Sequence, residues 1–219
     1  MVVRESRREW SVVQDLALQE VALSSEQGFP LWHAWGTIFM GRARAALGDC
    51  ATAITEIQTA IDEFEAINSQ LLRPYCLAFL AEAYGRAHRY EQGLVLLDDA
   101  LDRIETTGEG FYVAELHRLK GELLLRSNST VDRTYGEQHA ESHFLQALDV
   151  ARQQSAKLLE LRAATSLAHL WASQSRFEEA VGVLADVYAW FTEGFEIADL
   201  RDARTLLDEL KPRTAKAIA

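Results

Sequence analysis

One spacing recurs four times along the 219 residues: a small residue followed by apolar residues four and seven positions later. Ala53, Ile57 and Ala60 set it, and Gly93, Leu97 and Ala100 repeat it. Ala140, Phe144 and Ala147, then Ala180, Leu184 and Val187, complete the series. The starting residues lie 40, 47 and 40 positions apart. Self-similarity at a fixed period marks an array of like units, each burying its apolar face only against its neighbours. With 48% hydrophobic residues the chain has enough apolar surface for a core, which in such an array is a long seam.

A second stripe precedes each of these and turns the period into a two-helix unit. It reads Thr37, Met40, Gly41, Arg44, then Leu77, Leu80, Ala81, Tyr84, and in the fourth unit Ala164, Leu167, Ala168, Trp171. In these three units the stripe ends nine residues before the small residue. In the third it reads His117, Lys120, Gly121, Leu124 and ends sixteen residues before Ala140. Steps of three, one and three keep four side chains on one helical face, and the small residue lets a second helix approach closely. The extra length falls in RSNSTVDRTYG at 126–136, rich in turn-forming and polar residues and read as a surface loop between paired helices.

These stripes resemble the W-x2-L-G-x2-Y…A-x3-F pattern of tetratricopeptide (TPR) repeats over most of the chain. Only Tyr84 and Trp171 fill the aromatic position, and the period exceeds the usual one. The resemblance implies an all-α, right-handed superhelix of helix pairs. A narrower resemblance lies in EQGFP at 26–30, LHRLKGELLL at 116–125, LELRAATSLA at 159–168 and VYAWFTEGF at 187–195. These phrases are similar to the C-terminal repeat region of large bacterial signalling proteins. Such proteins carry a P-loop ATPase module, often with an adenylate/guanylate cyclase or DNA-binding domain. That resemblance implies a regulatory fragment whose catalytic domains lie upstream.

The helical periodicity places about ten helices and no strand. An orphan helix at 9–26 precedes repeats at about 31–67, 71–106, 111–154 and 157–191, followed by a capping helix at 196–210 and a flexible tail at 211–219. All belong to one domain, 1–210. Stops are read at Gly28 before Pro30, Gly48-Asp49, Gly108 and Gly110, Gly194 and Lys211-Pro212. The orphan helix carries Val12, Val13, Leu16, Leu18 and Val21 and resembles half of an upstream unit, so its apolar seam is expected to be open or to form a homodimer.

The formal charge is -11, from 33 acidic and 22 basic residues, which disfavours nucleic acid and anionic membranes as direct partners. The N-terminal MVVRESRREW has no apolar signal core, and no run of eighteen apolar residues occurs, so the expected location is cytoplasmic. Cys50 and Cys76 fall in helical stripes and read as small hydrophobes. Asn128-Ser129-Thr130 matches a glycosylation sequon that has no use without export.

No catalytic constellation emerges, and neither cofactor nor metal is expected. His139 and His143 lie four apart around Glu141, but this is not the H-E-x-x-H arrangement and lacks a third ligand. Lys120-Gly121 is not a phosphate-binding loop, and Asp98-Asp99 and Glu178-Glu179 read as solvated helix faces.

In the family the chain resembles, the first helix of each pair lines a concave face. That register would present Trp35, Arg42, Tyr75, Glu82, Glu115, Arg118, Glu122, Arg162 and His169 to a protein or peptide partner, or to a neighbouring domain. The basic carboxylate clamp of chaperone-binding repeats is not reproduced, since Ile38, Phe79, Glu115 and Leu119 stand in its places. The expected function is a non-catalytic interaction and regulatory module. The alternative is a small-ligand sensor in which Trp35 and Tyr75 stack on a molecule held in the groove.

Overall fold

A computed structural model describes residues 1–70, 72–127 and 133–217. Among these residues there are eleven α-helices, one short 3-10 turn at Gly110–Tyr112 and no strand. The sequon at 128–130 and, with it, residues 128–132 of the 126–136 stretch lie outside the described residues, whereas Arg126 ends one helix and 133–136 begin the next. The chain forms two compact units, Met1–Gly110 and Phe111–Ala219.

The first unit holds α1 (Val2–Ser6), α2 (Trp10–Gln27), α3 (Pro30–Leu47), α4 (Cys50–Ala66), α5 (Arg73–Arg86) and α6 (Tyr90–Thr107). Here α2 packs on α3, α3 on α4, α4 on α5 and α5 on α6, while the first helices of the two repeats, α3 and α5, also touch. Short α1 was not expected. It is fixed by Glu5, which is buried and accepts an ion pair from Arg42 at 2.8 Å. Helix starts and stops follow local chemistry. Pro30 occupies the first turn of α3, and the Asp49 carboxylate accepts a hydrogen bond from the Thr52 amide at the start of α4. Between these helices Gly48 takes φ +106°, which an L side chain rarely adopts.

The second unit holds α7 (Val113–Arg126), α8 (Arg133–Gln153), α9 (Lys157–Ser173), α10 (Phe177–Tyr188) and α11 (Ala198–Ala217). Consecutive helices pack together, and α9 also touches α7 and α11. The core runs through Phe144, Leu148, Leu161, Leu167 and Leu184 to Leu200, Ala203 and Leu207, so α11 covers the last repeat. Helix α11 continues through Pro212 to Ala217, past the stop read at Lys211-Pro212. A proline disrupts the preceding turn by lacking one amide donor, yet its fixed φ is itself helical, and here it sits on an exposed turn.

The small-residue stripes are crossing points. A Cβ on Gly41 would lie 2.6 Å from the Ile57 side chain, and one on Gly121 would lie 2.5 Å from the Phe144 ring. In both repeats this is the same pair of positions, the small residue of the first helix against the apolar residue at +4 of the second. Ala53, Ala140 and Ala180 are fully buried at the matching positions. Among the described residues no helix is long and apolar enough to cross a membrane.

Candidate interaction surface

The nine residues expected to face a partner fall into register columns, and the structure uses one of these columns, together with Arg42 of the next, inside the repeats. Trp35, Tyr75, Glu115 and Arg162 each stand six positions before the small residue of their first helix, whereas Arg42, Glu82, Glu122 and His169 each stand one position after it.

In the first unit, Trp35 and Tyr75 are buried rather than presented. Their ring centroids lie 6.4 Å apart, Trp35 meets the Phe64 ring edge-on at 5.1 Å, and Tyr75 packs against Phe79 at 4.2 Å. Neither ring offers an open face on which a ligand could stack, so a sensor built on these two side chains lacks its platform. Arg42 is also buried. It pairs with Glu5, reaches Glu82 at 3.4 Å and lies over the Phe79 ring at 3.6 Å, so its charge ties α1 and α5 to α3. Glu82 keeps partial exposure and also accepts from Arg86 at 2.9 Å.

The second unit repeats the scheme with charges in place of rings. Arg162 is buried, donates to Asp199 at 2.9 Å and approaches Glu115 at 3.8 Å, linking α9 to α11 and α7. Burial alone would lower its proton affinity, but Glu115, Asp199 and Tyr112 reverse that and hold the guanidinium charged. Arg118 donates to Glu115 at 2.7 Å and to Glu122, which also accepts from Ser166 Oγ at 3.1 Å. Glu122 is half-buried, Arg118 less exposed, and His169 stands exposed on α9. The accessible members of the expected set are therefore Glu82, Glu122, His169 and part of Arg118. The physical reason is that side chains on facing first helices are close enough to pair with each other, and pairing removes them from water.

Sequence periodicity missed three groups. Glu5 and Asp199 are the buried carboxylates that neutralise Arg42 and Arg162, and nothing in their local sequence distinguishes them from surface acids. The third is a histidine pair. His143 turns away from its expected partner, and its Nδ1 lies 3.1 Å from Nδ1 of His117 on α7, with the rings stacked at 5.3 Å and 22°. The His139 ring packs instead on Tyr135 at 4.0 Å. Burial first, then His143 and Lys120, lower the His117 pKa to about 4. Among the described residues no group of three or more His, Cys, Asp or Glu side chains is placed to hold a metal.

Two other groups named from the sequence are accounted for by burial and pairing. Burial pushes the Cys76 thiol up to about 12, which keeps it protonated and unreactive. Asp99 is held by Arg103 at 3.0 Å and Glu179 by Arg176 at 2.7 Å. One open cleft of about 390 Å3 lies in the first unit where α2, α3 and α4 meet, lined by Ser24, Phe29, His33, Glu63 and Ile67. His33 Nδ1 and Glu63 Oε2 are 2.9 Å apart at its wall.

No family model matches the chain, and no curated protein sequence does. Solved structures do. BtubC (BKLC) from P. vanneervenii is 15% identical, with a TM-score of 0.64 over all of this chain and 93% of its own. A Podosopora anserina candidate kinesin light chain with nearly identical TPR-like repeats gives 0.55 at 16% identity, and a point variant of it gives 0.57, each over 85% of this chain and 93% of theirs. At these identities the likeness concerns architecture alone. The chain has an all-α, TPR-like repeat fold.

Proposed function

We propose that the chain is a non-catalytic TPR-like module that binds a protein or peptide, or another domain of its parent, and thereby regulates it. The observation that carries this reading is the stacking of first helices in each unit, which leaves Glu82, Glu122 and His169 accessible on helices held rigid by buried ion pairs. Such rigid, repeated helices generally serve as recognition surfaces. The exposed carboxylates and the charge of -11 favour a partner that carries Lys or Arg. The phrases that resemble those of bacterial signalling proteins favour a parent with ATPase, cyclase or DNA-binding domains and a cytoplasmic location. On this reading the chain takes no cofactor, contacts neither nucleic acid nor membrane, and has a second copy as one partner through α2.

Selection from a random peptide display library against the purified protein tests this. Enriched peptides should be basic, and Glu82→Arg or Glu122→Arg should weaken them at least about tenfold, the scale of one lost charged contact at an interface. Failure to enrich any peptide, or indifference of all enriched peptides to both changes, would refute the reading. The sensor alternative is left with the open cleft by His33 and Glu63, since Trp35 and Tyr75 are taken up by the core.

A further inference from the structure

We propose that the open cleft of the first unit, where α2, α3 and α4 meet, is a binding site for a small organic cation, a protonated amine carried on an aromatic or aliphatic body. Its volume of about 390 Å3 falls within the usual range for small-molecule sites, about 300–1,000 Å3. Phe29, Pro30, Ala66 and Ile67 make up the apolar part of the lining. Phe29 and Ile67 are both exposed, so a ligand body laid against them would remove apolar surface from water.

The polar part of the lining is suited to accept hydrogen bonds from such an amine. Ser24 Oγ donates to the carbonyls of Glu20 and Val21, and Ser25 Oγ donates to that of Val21 at 2.8 Å, so both hydroxyl protons are spent within α2 and the oxygens keep only lone pairs to offer. Glu63 Oε2 is taken by His33 Nδ1 at 2.9 Å. An ionised carboxylate makes the imidazole the donor in that pair, which leaves Glu63 Oε1 and, on a neutral ring, His33 Nε2 as acceptors. No Lys or Arg lines the cleft. Two helix C-termini also converge on it, since Ser24, Ser25 and Gly28 close α2 while Glu63, Ala66 and Ile67 close α4. Neither helix has a basic residue in its last turn, so the partial negative charge at both ends favours a cation. The start of α3 opposes this, but Pro30 in its first turn removes one of the amide donors that an anion would use. A carboxylate and two helix ends therefore select a charged N–H donor over an anion and over a neutral molecule of the same shape. A ligand seated there touches α2, α3 and α4 together, so its binding should raise the stability of the first unit. The inference deepens the sensor alternative and does not rest on the peptide reading: Glu82 and Glu122 lie on α5 and α7, and neither lines the cleft.

Tryptamine is a suitable probe, with tryptophol as its neutral analogue and indole-3-acetate as its anionic one, each titrated into the full chain and followed by backbone amide chemical shifts. Tryptamine should saturate one site with shifts centred on residues 24–29 and 63–67, and should bind at least about tenfold more tightly than tryptophol, the scale of a charge-assisted hydrogen bond. Indole-3-acetate should bind most weakly of the three. Glu63→Gln should cost tryptamine at least about tenfold and leave tryptophol unchanged. Phe29→Ala should weaken the amine and the alcohol alike. Neither side chain is buried, and circular dichroism confirms that both variants fold. Shifts centred elsewhere, equal affinity for the three probes, indifference of tryptamine to Glu63→Gln or to Phe29→Ala, or no saturation at millimolar tryptamine would each overturn the proposal. None of these results bears on peptide selection, which reads Glu82 and Glu122.

Discussion

At the scale of single residues, two glycines in helix interiors should respond in opposite ways to the same change. Alanine is favoured over glycine within a helix by about 1 kcal/mol. At Gly182 an added methyl meets nothing within 4 Å, so Gly182→Ala should stabilise by about 0.5–1 kcal/mol. At Gly121 the same methyl would sit 2.5 Å from the ring of Phe144, which is fully buried, so the ring or its helix must shift. Overpacking of this kind costs about 1–3 kcal/mol, so Gly121→Ala should destabilise despite its better propensity. Urea denaturation of the two variants provides the measurement, and equal shifts would show that the third crossing is looser than described. His117 makes a second residue-scale prediction. Its folded pKa is depressed to about 4 from 6.5, so between those values the unfolded chain binds more protons and stability falls as pH falls. Denaturation midpoints should therefore drop from pH 7 to pH 5, before most carboxylates titrate, and His117→Gln should flatten that slope.

At the scale of elements, the turn between the paired helices repeats as faithfully as the stripes. Five residues before the small residue stand Gly48, His88 and Ser175, all with positive φ. A non-glycine residue there carries a strain of about 1–2 kcal/mol, partly offset by glycine's greater loss of entropy on folding. Ser175 is exposed, so Ser175→Gly should raise stability by about 0.5–1 kcal/mol, readable as a higher melting temperature. The next residue, Arg89 or Arg176, lies over the aromatic ring that ends the first stripe, at 4.5 Å from Tyr84 and 4.6 Å from Trp171. In the first repeat Arg44 and Asp49 occupy these two positions and pair at 3.8 Å. The link between α9 and α11 rests on another buried contact. Asp199→Ala would leave the Arg162 charge in the core with Glu115 at 3.8 Å and should cost about 3 kcal/mol or more. Replacing both partners, Arg162→Met with Asp199→Leu, should recover much of that loss, because two apolar groups need no neutralisation. A double variant as weak as Asp199→Ala alone would show that Arg162 holds α7 as strongly as α11.

At the scale of the whole molecule, the apolar surface of α2 bears on assembly. Val13 and Ala17 are buried against α3, but Leu16, Leu18 and Leu23 are 36%, 59% and 59% exposed. A second copy pairing through that surface would cover Leu16 in a twofold contact. Light scattering over a range of concentrations should then show a dimer for the native chain and a monomer for Leu16→Glu, with the same melting temperature at low concentration. A monomer in both cases, with no change in stability, would exclude α2 from any contact.

Much of the fold was legible because it rests on local rules. The small residue, the apolar residues at +4 and +7, and the turn before them recur within short spans, and each span dictates its own helix and stop. Helix pairing followed, since Gly41 and Gly121 must meet a large side chain of the next helix for their size to have a use. The candidate surface was less legible. Periodicity shows which face a residue occupies, but not how far that face stands from its neighbour. Thus Trp35 and Tyr75, or Glu115 and Arg162, share a register that the sequence displays, yet only helix separation and rotation decide that each pair closes inside the fold. Glu5, Asp199 and the pairing of His117 with His143 depend on contacts between residues tens of positions apart, for which no local signal exists. The sequence by itself determined the repeating helices and the register of their crossings. The tertiary structure decided which side chains of that register were used up in holding the repeats together, because a charge or ring facing a partner across a few ångströms gains more from pairing than from water.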